Sequence, residues 1–373
     1  MTHKPSVSIV SSVFNNRPYI GQTIQSVLNQ TYEDWEWVIV DDGSTDGTGD
    51  IIRGVNDKRI RYIFQEHAAS RHLAKNFNRA LMMCNGDLIA LIDGDDYWPH
   101  DKLQIQVESF DDPSVILSYG ESYLVDHGGK KIGFVGIPED LSSANNNPKG
   151  SALKILLVEK SCFIVNPTVM MRKNALLRIG GFLEVKGMGQ DFPTWVRLAL
   201  EGTFSAVPRC LGYYRKHASS TSFVQNREVA FSDEIRFLEH FLLEFRVKMA
   251  GLSLSHDRGE LREHWEDMRR HIPYSSALYL LMFRCFEDAR SEFRKFLTKA
   301  PSAKNNLIYS LVVLSSWLRT DLVNPVAFFK EKVKSLKKRR PYHANRLHEA
   351  QFRGDRKNHR ENMDASGHSW LKR

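Results

Sequence analysis

Asp93-Gly94-Asp95-Asp96 sets three carboxylates within four residues, directly after the apolar run 88–92. Adjacent carboxylates repel, so such a cluster is costly unless water or a cation neutralises it. A hard divalent ion with oxygen ligands, Mn²⁺ or Mg²⁺, matches this donor set, and such ions usually also bind substrate phosphates. The bland alternative is a solvated loop in which Asp96 or Asp101 caps the next helix. It loses weight because a second acidic loop, Asp41-Asp42-Gly43-Ser44-Thr45-Asp46-Gly47-Thr48, ends a neighbouring strand. Ser44 to Thr48 read as a turn with a helix cap. Paired aspartates after an apolar strand are not explained that way, and an edge carboxylate there can accept hydrogen bonds from a nucleobase.

The elements that must position these loops alternate. Residues 7–13, 35–40, 60–64 and 88–92 are β-branched or apolar runs and read as strands. Between them, Ile20, Ile24, Val27 and Leu28 recur at helical spacing. A second helix begins near Asp46, and Leu73, Phe77, Ala80 and Leu81 mark a third over residues 70–84. This alternation predicts an α/β fold with an open, mostly parallel sheet and right-handed crossovers. Ligands of such sheets sit beyond the carboxyl ends of the strands, where both acidic loops fall. Further on, 126–130 reads as a hairpin turn, 142–150 as a loop, 163–171 as a strand, and 173–179 and 191–200 as helices. Beyond residue 222 the pattern turns almost wholly helical. Leu278, Leu281, Met282, Cys285, Ala289, Phe293 and Phe296 trace one face of a long helix, and a helical hairpin packed on the main domain is expected.

Six segments appear in family order and spacing: residues 7–15, 26–32, 41–48, Ala74-Lys75-Asn76, Asn85-Gly86-Asp87 and 93–96. Together they make residues 5–222 resemble the inverting family 2 glycosyltransferases of the GT-A fold. The resemblance implies a nucleoside pocket at Ser12, Phe14 and Asp42, with Asp42 facing uracil. It places Lys75, where the family usually has Arg, toward the nucleotide. Asp93 and Gly94 fall near the ribose and metal, and Asp95 becomes the principal metal ligand. In the segment 187–195 it makes Asp191 the catalytic base, with Gln190 and Pro193 standing where the family has Glu and a second Asp. Helix capping by Asp191, with Pro193 in the first turn, is compatible with that role. Residues 214–220 resemble a Y-R-x-H-x-x-S segment, which implies His217 in the metal shell and Arg215 or Lys216 on the pyrophosphate. Ser11-Ser12 replaces the common Pro-Thr and leaves the base identity open.

The implied reaction is metal-assisted transfer of a sugar from a nucleotide-diphosphate sugar to a hydroxyl of a glycan or lipid-linked acceptor. A nucleotidyltransferase or an NAD-dependent enzyme would show a glycine-rich loop after the first strand, and Ser12-Val13-Phe14-Asn15-Asn16-Arg17 has no glycine. A non-catalytic scaffold finds support only in Gln190 and Pro193.

Composition agrees with a two-part chain. The 373 residues are 42% hydrophobic and 26% charged, which excludes disordered, collagenous and multi-span membrane classes. The net charge of +8 is carried by the tail: residues 319–373 hold 15 Lys/Arg and 6 Asp/Glu, leaving 37 against 38 elsewhere. Nucleic acid is therefore not an expected partner. Residues 326–340 interleave basic with apolar and aromatic side chains and suit peripheral contact with an anionic membrane. Four scattered cysteines read as reduced thiols. No secretory signal or spanning segment is visible, so a cytoplasmic protein at the inner membrane face is expected, with domains 5–222 and 223–340 and a disordered tail 341–373.

Overall fold

The computed structural model describes residues 6–67, 73–138, 141, 149–159, 163–185, 188–217, 220, 227–251, 258–282 and 285–323. The elements preceding the third helix are β1 (Val7–Val13), α1 (Arg17–Leu28), β2 (Trp35–Asp41), α2 (Thr48–Arg53) and β3 (Ile60–Phe64). Next come α3 (Leu73–Leu81), β4 (Leu88–Leu91), α4 (Lys102–Glu108), β5 (Val115–Val125) and β6 (Lys131–Val135). The sheet region closes with α5 (Ser151–Glu159), β7 (Met170–Arg172), α6 (Lys173–Arg178), α7 (Asp191–Leu198) and β8 (Thr203–Arg215).

One sheet runs in the order β3-β2-β1-β4-β7-β5-β6, with β8 on the other side of β5. β3, β2, β1 and β4 pair in parallel, as does β8 with β5. β7 is antiparallel to both β4 and β5, and β6 is antiparallel to β5. All seven residues of β1 are buried, as a strand covered on both faces requires. Its alternate residues serve two cores. Val10 packs with Val38, Phe77, Leu91 and Trp195 on one face. Val7, Ile9 and Val13 pack with Ile20, Trp37 and Leu103 on the other. The buried serines of this strand are satisfied: Ser11 Oγ donates to Ile92 O at 2.5 Å and accepts from Trp37 Nε1 at 2.9 Å.

The reading of the sheet region is revised at two points. The strand expected at 163–171 is interrupted, because Pro167 lies in a 3-10 turn, Asn166–Thr168, and only Met170–Arg172 pairs in the sheet. The 13-residue β8 escaped the sequence reading, since Pro208 and Arg209 break its apolar pattern. The hairpin at 126–130 is present, with Asp126 N bonded to Lys130 O at 2.9 Å. Residues 68–72, at the expected start of the third helix, and 142–148, the expected loop, lie outside the described residues.

The C-terminal helices are α8 (Arg227–Glu244), α9 (Arg246–Gly251), α10 (Arg258–Met282), α11 (Phe286–Lys299) and α12 (Ala303–Leu318). Leu238, Phe241, Met249, Leu261 and Trp265 join the main core, and Trp265 Nε1 donates to Leu157 O at 2.8 Å. The far half of α10 instead packs with α11 and α12 around Ala277, Leu281, Phe293 and Val312. The single long helix expected across residues 278–296 is two. Cys285 has non-helical dihedrals and caps α11, whose first turn carries Glu287 and Asp288. The seven-residue apolar spacing continues across the turn because both helices face one core. Residues 324–373, including the basic run and the tail, lie outside the described residues.

Candidate active site

The carboxyl ends of β2, β1 and β4 are adjacent, so the loops carrying Asp42, Phe14 and Asp93–Asp96 meet at one edge of the sheet. Thr23 on α1 ties down the Asp93–Asp96 loop, its Oγ1 lying 3.0 Å from Gly94 O and 2.7 Å from Asp96 O. Gly94 is required by close packing. A Cβ there would stand 2.7 Å from Asn16 Oδ1 and 2.8 Å from Val13 Cγ1. A side chain would therefore push the acidic loop off the β1–α1 loop.

The three carboxylates of this loop have different surroundings. Asp96 is fully buried and accepts from Arg215 N at 2.7 Å, while its Oδ2 has no partner among the described residues. Burial, then the charges of Asp95 and Asp93, hold its pKa well above the usual carboxylate range. Asp93 accepts from Asn166 Nδ2 at 3.1 Å. Withdrawal from water and the Asp95 charge push it up to about 7, with Asp191 adding a further repulsion. Asp95 meets His217 Nε2 at 2.9 Å. His217 is itself held by Tyr19, with ring centroids 4.6 Å apart, and by its amide bonded to Ser220 Oγ at 3.1 Å.

These groups fit a hard divalent cation as a shared ligand set. Clustered carboxylates, one left with an orphaned oxygen, carry excess negative charge that a cation would relieve. Among the described residues no three His, Cys, Asp or Glu side chains are grouped so that they alone could hold a metal ion.

Arg215 is assigned differently from the expectation that it could face the pyrophosphate. Its side chain is 2% exposed, and its guanidinium bonds Asp95 O at 2.7 Å, Asp126 O at 3.1 Å, His127 O at 3.0 Å and Gln22 Oε1 at 2.5 Å. Rigid, forked donors suit this task, since they join the acidic loop, the β5–β6 turn and α1. The neighbouring Lys216 lies 3.9 Å over the Tyr214 ring, and its charge lowers the pKa values of Asp96 and Asp191. Arg215→Ala leaves several buried carbonyls unmet, at about 1–3 kcal/mol each. Its melting temperature is expected to fall by several degrees even without nucleotide; an unchanged midpoint in a thermal scan would contradict the clamp role.

A second polar cluster lies around Asp42, which is 4% exposed. Gln65 Nε2 donates to Asp42 Oδ1 at 2.6 Å and to Asn76 Oδ1 at 2.7 Å, and Asn76 Nδ2 donates to Ser12 Oγ at 3.1 Å. His67 Nδ1 lies 3.0 Å from Asp42 Oδ2, and its ring stacks on the half-exposed Phe14 at 4.2 Å and 14°. Gly43 allows this closeness: it has φ of +80° and a Cβ on it would lie 2.6 Å from His67 N. A flat ring is thus already accommodated against Phe14 and Asp42. Lys75 stands at the surface, 3.7 Å from Glu184 and 60% exposed. Sequence reasoning missed Gln65, His67 and Asn166. Asn76 was visible as the third residue of Ala74-Lys75-Asn76.

Asp191 is the first residue of α7, with Gln190 rather than Asp191 as the cap. Its carboxylate accepts from the backbone amides of Asp191 and Phe192, while withdrawal from water raises its pKa. It lies near enough to Asp93 for the two charges to interact. Thr194 locks the turn, its Oγ1 donating to Gln190 O at 2.5 Å and accepting from Leu183 N at 2.9 Å.

The fold and this edge of the sheet define a GT-A class transferase. Residues 8–180 match Glycosyl transferase family 2, and the chain belongs to that family. It is 32% identical over 226 residues to TuaG of Bacillus subtilis, described as a teichuronic acid biosynthesis glycosyltransferase, covering 59% of this chain and 82% of that one. It is 30% identical over 224 residues to WfaP of Escherichia coli, a UDP-Glc:alpha-D-GlcNAc-diphosphoundecaprenol beta-1,3-glucosyltransferase, covering 60% and 82%. In three dimensions it is similar to residues 1–349 of TarS from S. aureus, a structure in complex with UDP. The TM-score is 0.51 at 17% identity, covering 86% of this chain and 90% of that one.

Proposed function

We propose that this glycosyltransferase moves a sugar from a UDP-sugar to a hydroxyl of a lipid-linked or glycan acceptor, with inversion at the anomeric carbon. The carrying observation is that Asp191 begins α7 on a turn fixed by Thr194, near enough to Asp93 for their charges to interact and with burial raising its pKa. A single base opposite a leaving diphosphate supports one in-line displacement. Asp191 takes the acceptor hydroxyl proton while the acceptor oxygen bonds to the anomeric carbon. The bond to the diphosphate oxygen breaks, and that oxygen leaves with the electron pair. Asp95, with Asp93 and His217 beside it, would hold Mn²⁺ or Mg²⁺, which offsets charge on the leaving diphosphate. Asp42, Ser12 and Phe14 take the base, with Lys75 alongside and Asp93 near the ribose. The donor and the lipid-linked acceptor are supported by WfaP, whose name specifies both.

No helix of the described residues is long and apolar enough to cross a membrane. Work on a lipid-linked acceptor then calls for peripheral attachment at the inner face, to which residues 326–340 contribute.

The test is a thermal-shift panel of UDP, GDP, dTDP and CDP, each with and without Mn²⁺. Ligands that bind only the native state raise the midpoint. UDP is expected to give the largest rise, and Mn²⁺ to enlarge it. A flat panel on folded protein would instead favour a non-catalytic scaffold.

A further inference from the structure

The carbonyls of Pro167, Thr168 and Val169, which follow Asn166, are each met by a side chain from one short stretch. Trp98 Nε1 donates to Pro167 O at 2.7 Å, Gln106 Nε2 to Thr168 O at 2.9 Å and Lys102 Nζ to Val169 O at 3.4 Å. That stretch continues the acidic loop into α4, so the 3-10 turn Asn166–Thr168 is fastened to the same piece of chain that carries Asp93. The clamp is dry: Lys102, Gln106 and Thr168 are fully buried. Lys102 Nζ also donates to Gln106 Oε1 at 2.6 Å, which fixes that amide with its Nε2 toward Thr168 O and Ser118 O. These acceptors are neutral, and burial pushes the Lys102 amine well below the ordinary lysine range. Gly212 of β8 closes the other side, where a Cβ would stand 3.0 Å from Pro167 Cβ.

The clamp aims the Asn166 amide. Its Nδ2 donates to Asp93 Oδ2 at 3.1 Å, while its Oδ1 is buried with no partner among the described residues. A buried carbonyl oxygen without a donor opposes folding, so stability does not explain an asparagine here. Its one side-chain bond goes to a carboxylate of the site. We infer that Asn166 is a positioning residue: it fixes Asp93 Oδ2 and so leaves Asp93 Oδ1 to accept from a ribose hydroxyl of the donor nucleotide. The inference rests on the nucleotide-sugar reading above. The terminal torsion of a free aspartate is broad, whereas a carboxylate held at one oxygen presents the other in a set direction. A site built to bond a hydroxyl rejects the analogue that lacks it, because its own polar group is then left unpaired.

The test is titration calorimetry of the full chain, in the presence of Mn²⁺, with UDP and with its 2′-deoxy and 3′-deoxy forms. The wild type is expected to bind at least one deoxy form about tenfold less tightly than UDP. In Asn166→Leu, which keeps the size of the side chain and removes both polar atoms, that preference is expected to shrink to about twofold or less. The nucleotide-free melting midpoint should change little, whereas a merely structural asparagine would lower the midpoint and leave the preference alone. Asn166→Ala, which cannot overfill the turn, is expected to lose the preference in the same way. A preference retained in a folded variant would overturn the inference and leave the proposed function standing. So would a wild type that binds UDP and both deoxy forms alike. A wild type that binds no UDP would overturn the UDP-sugar reading and this inference with it.

Discussion

Asp191→Asn is expected to lower kcat by about 10²–10⁴-fold while leaving the UDP-induced thermal shift intact. The amide keeps the shape of the first turn of α7 and still accepts from its amides, but it cannot take a proton. The proposed donor contacts lie in the loops after β1, β2 and β4 and not on α7, so affinity for UDP should not follow the rate. Equal loss of both would show that the residue shapes the donor site instead of acting as base. The pH profile offers a separate check. Because withdrawal from water raises the Asp191 pKa, the basic form required for proton abstraction accumulates at higher pH than for an ordinary aspartate. The acidic limb of kcat is therefore displaced upward from the usual carboxylate range. Stability has the opposite sign: a carboxyl whose folded pKa is raised contributes stability below its unfolded pKa and loses it as pH rises through the folded one. Asp191→Asn should consequently melt no lower than wild type at neutral pH, which separates a catalytic defect from a folding defect.

The second large effect belongs to Asp95. Asp95→Asn is expected to abolish the enlargement of the UDP thermal shift by Mn²⁺ and to cut kcat by about 10²-fold or more. The variant keeps a partner for His217 at the same position, so the loop need not rearrange. It also removes one of the charges that raise the pKa values of Asp93 and Asp96. The nucleotide-free variant should then be as stable as wild type or more so, with its function lost. Metal-dependent stabilisation that survives in Asp95→Asn would move the ligand role to Asp93 and refute the assignment.

Much of the site was legible because its residues follow strands directly. Val7–Val13, Trp35–Asp41 and Leu88–Leu91 are short apolar runs, and parallel strands bring their carboxyl ends together whatever the loops contain. The acidic residues behind them were therefore placed at one edge of the sheet by position alone. The place of Asp191 at a helix start was legible in its segment, though the cap fell on Gln190.

Other features had no local signature. Arg215 looks like a phosphate ligand in a run of cations, yet it ends β8 beside Asp96, 119 residues away, and its guanidinium turns inward to join the acidic loop, the β5–β6 turn and α1. Asn166 reached Asp93 only because Pro167 broke a strand into a 3-10 turn. Gln65 and His67 sit in an unremarkable stretch after β3, where only the parallel pairing with β2 brings them onto Asp42. The break at Cys285 was hidden because helices on either side of a turn present the same apolar spacing when they share a core.

The sequence by itself determined the alternating fold, the family and the chemical types at the site. Periodicity and the order of strand-end motifs are local properties that the chain cannot conceal. Only the tertiary structure decided which carboxylate is buried and which cation faces inward. Burial and pairing depend on residues far apart in sequence, and the same side chain in water or against a carbonyl carries different chemistry.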